Sequence, residues 1–289
     1  MKKYELTNET KTLAVGTVLH RIRALRDIPR FGVKAGELGG FVEGENNLSQ
    51  DGDAWVSGDA EVSGDAKVYG KAWVYGNSKV FGNAEIYGDA RVFGNAWVYG
   101  NAEVYGNAKV SDNAWVSGDA LVYGNAKVSD NACVYGDAWV YGNAEIYGDA
   151  RVFGNAKVFG KAWVFGNAWV CGDAEIYGDA LVYGNAEISG DAWVFGNAWV
   201  CGNAEIYGDA EVSGYADYMV INNIWSSGRW FTYTSSNKKW AVGCFYGTGE
   251  ELIKKAYADS ELSGKCYEAI VHAVETIEAA KAEAKGGAE

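Results

Sequence analysis

The sequence predicts a mainly β chain wound as a parallel β-helix, on three observations. An apolar β-branched residue returns every sixth position without a slip, a Gly-Asn or Gly-Asp pair returns at most of the same intervals, and Ala precedes nearly every β-branched residue by two. From Val56 to Val212 every sixth residue is Val or Ile, and the unit reads as in Ala102-Glu103-Val104-Tyr105-Gly106-Asn107. A helical period of 3.6 does not divide into six; a four-residue strand with a two-residue corner does. Side chains alternate along a strand, so Ala and Val/Ile share one face and the variable and aromatic positions share the other. Gly with Asn or Asp suits a sharp corner because these residues tolerate positive φ. Ala and a β-branched residue are small enough to fill a narrow prism. Three strands and three corners close a triangular coil of 18 residues, so the repeat makes about nine coils, roughly 43 Å of rod at ~4.8 Å per stacked strand.

A rod of this kind presents unpaired strand edges at both ends, which must be covered. The chain divides accordingly into an N-terminal cap (residues 1–50), the repeat (51–214) and a small C-terminal α+β domain (215–289). In the cap, residues 17–25 alternate like a strand, and Arg21, Arg23, Arg26 and Arg30 form either a solvated face or an anion site. In the C-terminal domain, residues 218–221, 229–234 and 239–245 read as three strands joined by Ser-, Gly- and Asn-containing turns. Thr248 and Glu251 form a capping box that opens a helix through Tyr257. A second helix carries Tyr267, Ile270, Val271, Val274 and Ile277 at helical spacing. The tail, residues 281–289, is expected to fray.

Residues 27–55 include Val33-Lys34-Ala35-Gly36, Gly39-Gly40-Phe41-Val42, Leu48-Ser49 and Gly52-Asp53-Ala54-Trp55. With the "V-Y-G-[DN]-A" repeats that follow, this lead-in resembles YdcK-like hexapeptide proteins and similar chains encoded by phages and prophages, over residues 1 to about 214. The resemblance implies a left-handed parallel β-helix; the general crossover rule alone favours the opposite hand. The segment from Ser226-Ser227-Gly228-Arg229-Trp230-Phe231-Thr232 to Glu250-Glu251-Leu252 also resembles small domains that follow repeats in phage-encoded chains. Acyltransferases of the hexapeptide fold use a histidine base beside a loop that interrupts the coils. Here residues 51–214 contain no histidine and no interrupting loop, and the two histidines, His20 and His272, lie outside them without a partner motif. No catalytic residue is therefore assigned, and an acyltransferase is the disfavoured reading.

Charge is concentrated in the middle, where residues 51–214 carry 9 basic and 22 acidic groups, the whole of the net charge of −13. Such a surface repels phosphate backbones, which disfavours direct nucleic-acid binding. No apolar run approaches the roughly 18 residues of a membrane helix, and Glu5 and Glu9 break any apolar signal region. Cys133, Cys171, Cys201, Cys244 and Cys266 show neither a metal spacing nor a disulfide framework, as in a reducing cytoplasm. No metal or cofactor is implied. Asn77, Asn95, Asn113 and Asn131, on successive coils of one edge, can form a hydrogen-bonded ladder.

Sorting the outward aromatic position by 18 gives one nearly continuous column: Tyr69, Tyr87, Tyr105, Tyr123, Tyr141, Phe159, Tyr177 and Phe195. Nine tryptophans, Trp55 among them, occupy the variable outward position. An exposed apolar strip of that size marks an interface, which points to a homo-oligomer, a dimer or trimer, and secondly to a host protein or a ring-bearing ligand. Arg229, Trp230, Tyr233, Lys239 and Trp240 combine cations and rings as a nucleotide or anion pocket does; the competing reading is a hairpin core with solvated basic ends. The expected function is a non-catalytic phage- or prophage-type β-helical scaffold or binding protein in the host cytoplasm. The alternative is a counter-defence protein that sequesters a nucleotide signal or presents an acidic mimic to a host defence protein.

Overall fold

Strands of two residues recur every six residues across the repeat, from Trp55–Val56 to Glu211–Val212, in a computed structural model that describes residues 2–214 and 216–286. They stack into three parallel sheets, and each sheet takes nine of them. Partners lie one coil apart, as in Arg91↔Lys109 and Val92↔Val110. The expected nine coils are therefore present. The interior is solid: the Ala and Val/Ile positions from Ala54 to Val212 form one continuous cluster with no solvent exposure. One inward position departs from the pattern, because Ser78 stands where Ala is expected. It is fully buried, and its hydroxyl donates to the Tyr75 carbonyl at 3.0 Å.

Corner geometry divides the work of Gly and Asn more sharply than expected. Gly takes the left-handed conformation, at φ 69° for Gly106, while the following Asn or Asp does not. Where Gly is replaced, in Ser111-Asp112 and Ser129-Asp130, the aspartate takes it instead, at φ 60° and 58°. The Asn side chains run up the edge: Asn77 donates to Asn95 at 3.2 Å, Asn95 to Asn113 at 3.1 Å and Asn113 to Asn131 at 3.2 Å.

The N-terminal cap is an antiparallel unit of β1 (Tyr4–Thr12), β2 (Val18–Ala24) and β3 (Leu38–Val42), with β1 and β3 additional to the sequence expectation. β3 turns parallel to the rod and pairs Phe41 with Glu61 and Val42 with Val62. The Phe41, Glu43 and Ser49 amides donate to the Ala60, Val62 and Val68 carbonyls, which closes the first coil's free edge. Gly39 and Gly40 fit because a Cβ there would lie 2.6 Å from the Val56 carbonyl oxygen and 2.7 Å from that of Ala60. Lys3 is fully buried and donates to the Ala54 carbonyl at 2.8 Å. Burial lowers its pKa to about 8, with the Arg26 charge acting the same way.

At the other end β4 (Tyr218–Asn222), β5 (Trp230–Thr234), β6 (Lys239–Val242) and β7 (Phe245–Gly247) form an antiparallel sheet. The single strand expected over 239–245 is two: Gly243, at φ 57°, reverses the chain and pairs Val242 with Phe245. The helices are α1 (Gly249–Asp259) and α2 (Glu261–Gly286), and the Thr248–Glu251 capping box is formed on both sides. Tyr267, Ile270, Val271 and Val274 are buried on α2, whereas Ile277 is exposed. Rather than fraying from residue 281, α2 continues through Gly286, and Lys281 donates to the Ala216 carbonyl at 2.8 Å. Residues 287–289 lie outside the described residues.

Candidate functional site

Every pair of neighbours in the predicted aromatic column is stacked, from Tyr69 and Tyr87 at 4.9 Å to Tyr177 and Phe195 at 5.3 Å. The structure thus brings all eight residues together. It also corrects their expected exposure, because each ring is half-buried by the rungs above and below it. The Tyr69 and Tyr87 hydroxyls donate to Glu85 and Glu103 at 2.8 and 2.7 Å, and burial raises the pKa of both phenols. Each stack contributes about 0.5–1.5 kcal/mol, so this column is built to hold coils together.

The tryptophans are not uniformly outward either. Trp55 is completely buried at the first coil, edge-on to Tyr4, and Trp73 is half-covered by Phe31 at 4.7 Å. Trp115, Trp139, Trp163, Trp169, Trp193 and Trp199 are exposed and lie on all three sheets. Only one sheet sets two of them in adjoining apolar rungs: Trp163 pairs with Leu181 and Leu181 with Trp199. Beside this row Phe165 stacks on Tyr147 at 4.8 Å and on Tyr183 at 4.9 Å. Trp163 is 42% and Trp199 57% exposed, so this sheet presents an outward apolar strip.

The five ligand candidates of the C-terminal domain separate. Tyr233 and Trp240 form a cross-strand pair inside the core beneath the helices, with Phe231, Leu252 and Val271. Burial pushes the Tyr233 phenol up to about 12. Trp230 and Arg229 are exposed and Lys239 is half-buried. The two rings thus belong to the hydrophobic core of this domain, while Arg229 and Trp230 face solvent. The sheet's other face seals the rod: Thr232 and Ser236 hydroxyls accept from the Glu205 and Glu211 amides at 2.9 and 2.8 Å.

The cap arginines are likewise engaged. Arg21 meets Glu9 at 3.0 Å, Arg23 pairs with Glu5, Arg30 with Asp89, and Arg26 donates to the Gly52 carbonyl at 2.8 Å. Their charges are compensated rather than pooled toward an anion. His20 lies on β2 with Nδ1 3.4 Å from the Thr7 carbonyl, and His272 is exposed on α2. No group of three or more metal-ligating side chains occurs among the described residues, and no described helix is long and apolar enough to cross a membrane.

The family model described as the YdcK Beta solenoid repeat matches residues 84–100 and 126–142, both inside the stacked coils. The rod is a YdcK-like β-solenoid. No curated protein matches the chain. The YdcK-like repeat accounts for the coils and corners, while the outer columns vary from rung to rung. One such variation escaped the sequence reading. The second aromatic column runs Phe81, Tyr99, Ser117, Tyr135, Phe153, and Ser117 removes a single ring from it. Sorting that column by 18 and asking for a lone small residue between aromatics would have found it.

Proposed function

We propose that this protein is a non-catalytic scaffold or binding solenoid that associates with a second copy of itself through the face carrying Trp163, Leu181 and Trp199. The observation that carries this reading is the row of large apolar side chains on adjoining rungs, continuous with the Tyr147, Phe165 and Tyr183 stack. Exposed aromatic rows of this kind are what buried interface centres are made of. The rod's interior offers no competing site, since its Ala, Val and Ile fill it completely. Sedimentation at tens of micromolar and below tests the proposal. A dimer or trimer is expected for the wild-type chain and a monomer for Trp163→Ser/Trp199→Ser. A monomeric wild-type chain, or an oligomer indifferent to both substitutions, overturns it.

The lead-in and C-terminal motifs support a phage or prophage origin, and five free thiols support a reducing cytoplasm. The acidity of residues 51–214 favours a second reading, a counter-defence protein that presents an acidic rod to a host nucleic-acid-binding protein. Salt-sensitive capture of such a protein, absent when the outward carboxylates are neutralised, separates it from simple self-association.

A further inference from the structure

We infer that the missing rung at Ser117 is a binding slot for one planar aromatic ring carrying an anionic group. It deepens the reading of the outer face as a binding surface and does not depend on self-association. The slot follows from ladder geometry. Below it Phe81 and Tyr99 stack at 4.9 Å with planes 2° apart, and above it Tyr135 and Phe153 stack at 4.9 Å with planes 1° apart. Tyr99 and Tyr135 are two rungs apart, roughly 9.6 Å at ~4.8 Å per rung. A flat ring midway between them stacks on both at the spacing the column already uses.

Ser117 supplies the floor of this space, and its side chain is nearly buried and too short to fill it. The resulting cavity of about 290 Å³ is lined by Tyr99, Trp115, Ser117, Cys133, Tyr135 and Arg151. Trp115 stands edge-on to Tyr99 at 6.5 Å and forms one side wall. Cys133 continues that wall one rung above Trp115, and burial raises the pKa of its thiol, which keeps the wall neutral. Elsewhere on this sheet the column is interrupted at Ser63, at its start, and at Cys171 and Ser189 together; a gap one ring thick between two stacked pairs occurs only at Ser117.

Arg151 sets the sign of the ligand. Its guanidinium lies over the Trp169 ring, 5.3 Å from the centroid, and it makes no ion pair among the described residues. Asp149 next to it is occupied at the corner, where Asn131 donates to it at 2.9 Å. A carboxylate or phosphate on the bound ring thus meets a fixed, unneutralised fork of donors at the mouth of the slot.

The test uses the full chain and indole-3-carboxylate as probe, with indole as the neutral ring and inorganic phosphate as the anion alone. Titration calorimetry is expected to show saturable binding of indole-3-carboxylate, at least fivefold weaker binding of indole, and none of phosphate. Ser117→Tyr completes the column with the protein's own ring and abolishes binding, while Ser117→Ala retains it. Arg151→Gln weakens the carboxylate probe about tenfold and leaves indole unchanged. Equal binding to wild type and Ser117→Tyr, insensitivity to Arg151→Gln, or no saturable binding to the wild-type chain each overturns the inference. Self-association is read separately by sedimentation, so loss of the oligomer with retained probe binding sinks only the interface reading.

Discussion

Thr232 Oγ1 accepts, at 2.9 Å, the hydrogen bond that the Glu205 amide would otherwise give to a tenth coil. In the coil below, Glu187 donates to the Ala204 carbonyl at 2.8 Å, so Thr232 stands in for a carbonyl one rung higher. Ser236 does the same for Glu211. The C-terminal sheet therefore completes the rod's hydrogen bonding as well as covering its apolar cross-section.

Removing that stand-in leaves a partly buried amide unpaired. Thr232→Val keeps the side-chain volume and is expected to lower stability by about 1–3 kcal/mol, the cost of an unsatisfied buried donor. Hydrogen exchange resolved by residue checks the cause: Glu205 should lose protection while mid-rod amides such as Glu103 keep theirs. Unchanged protection at Glu205 would refute the stand-in role.

Corner glycines and corner aspartates should respond in opposite directions. A Cβ on Gly106 would lie 3.0 Å from the Gly124 nitrogen, and the residue sits at φ 69°, so Gly106→Ala is expected to cost about 2 kcal/mol. Asp112 already bears left-handed strain at φ 60°, and Asp112→Gly relieves it, with an expected gain of up to about 1 kcal/mol. Denaturant midpoints of the two variants falling on the same side of wild type would show that conformational strain is not what selects these residues.

Lys3 makes stability depend on pH in a definite window. Its folded pKa is lowered to about 8 from an ordinary 10.5, so between these values the unfolded chain holds a proton that the folded chain has released. Stability then rises with pH from about 8 toward 10.5, and below 8 the full cost of burying the charged ammonium is present. The tyrosines work the other way: phenols such as Tyr69 and Tyr87 have folded pKa values raised above 10, so their contribution is present below pH 10 and lost above it. The clean window is pH 8–10. Wild type should gain stability across it relative to Lys3→Met; parallel curves would show that Lys3 is neutralised some other way.

How much of this was legible in the sequence depended on whether neighbours were themselves repeats. Val104 sits between rungs of the same repeat, at Ile86 and Val122, so its burial follows from period and alternation alone, and the Asn77–Asn95 bond follows from the corner spacing. The same reasoning placed Trp55 outward, correctly for a mid-rod coil. It is buried because Tyr4 and β1, which no period announces, lie over the first coil. Tyr233 and Trp240 resembled a ligand pocket until α2 was seen to cover them, a long-range contact without a local signal. The Gly243 reversal was readable: an isolated Gly in a strand pattern is a reason to expect a break. Exposure of the aromatic column was misjudged because strand alternation gives the direction of a ring and not the shielding that like rings give one another.

The two sealed ends make length a quantised trait. Each coil touches only its neighbours, and both caps are matched to a particular side of the triangle, Phe41 over Glu61 at the start and Thr232 against Glu205 at the finish. Gain or loss of one full coil would leave both seals in phase. Insertion of a single hexad would rotate the terminal domain by a third of a turn and set its hydroxyls against the wrong side, so descendants of this rod should differ in length by whole coils and rarely by anything less.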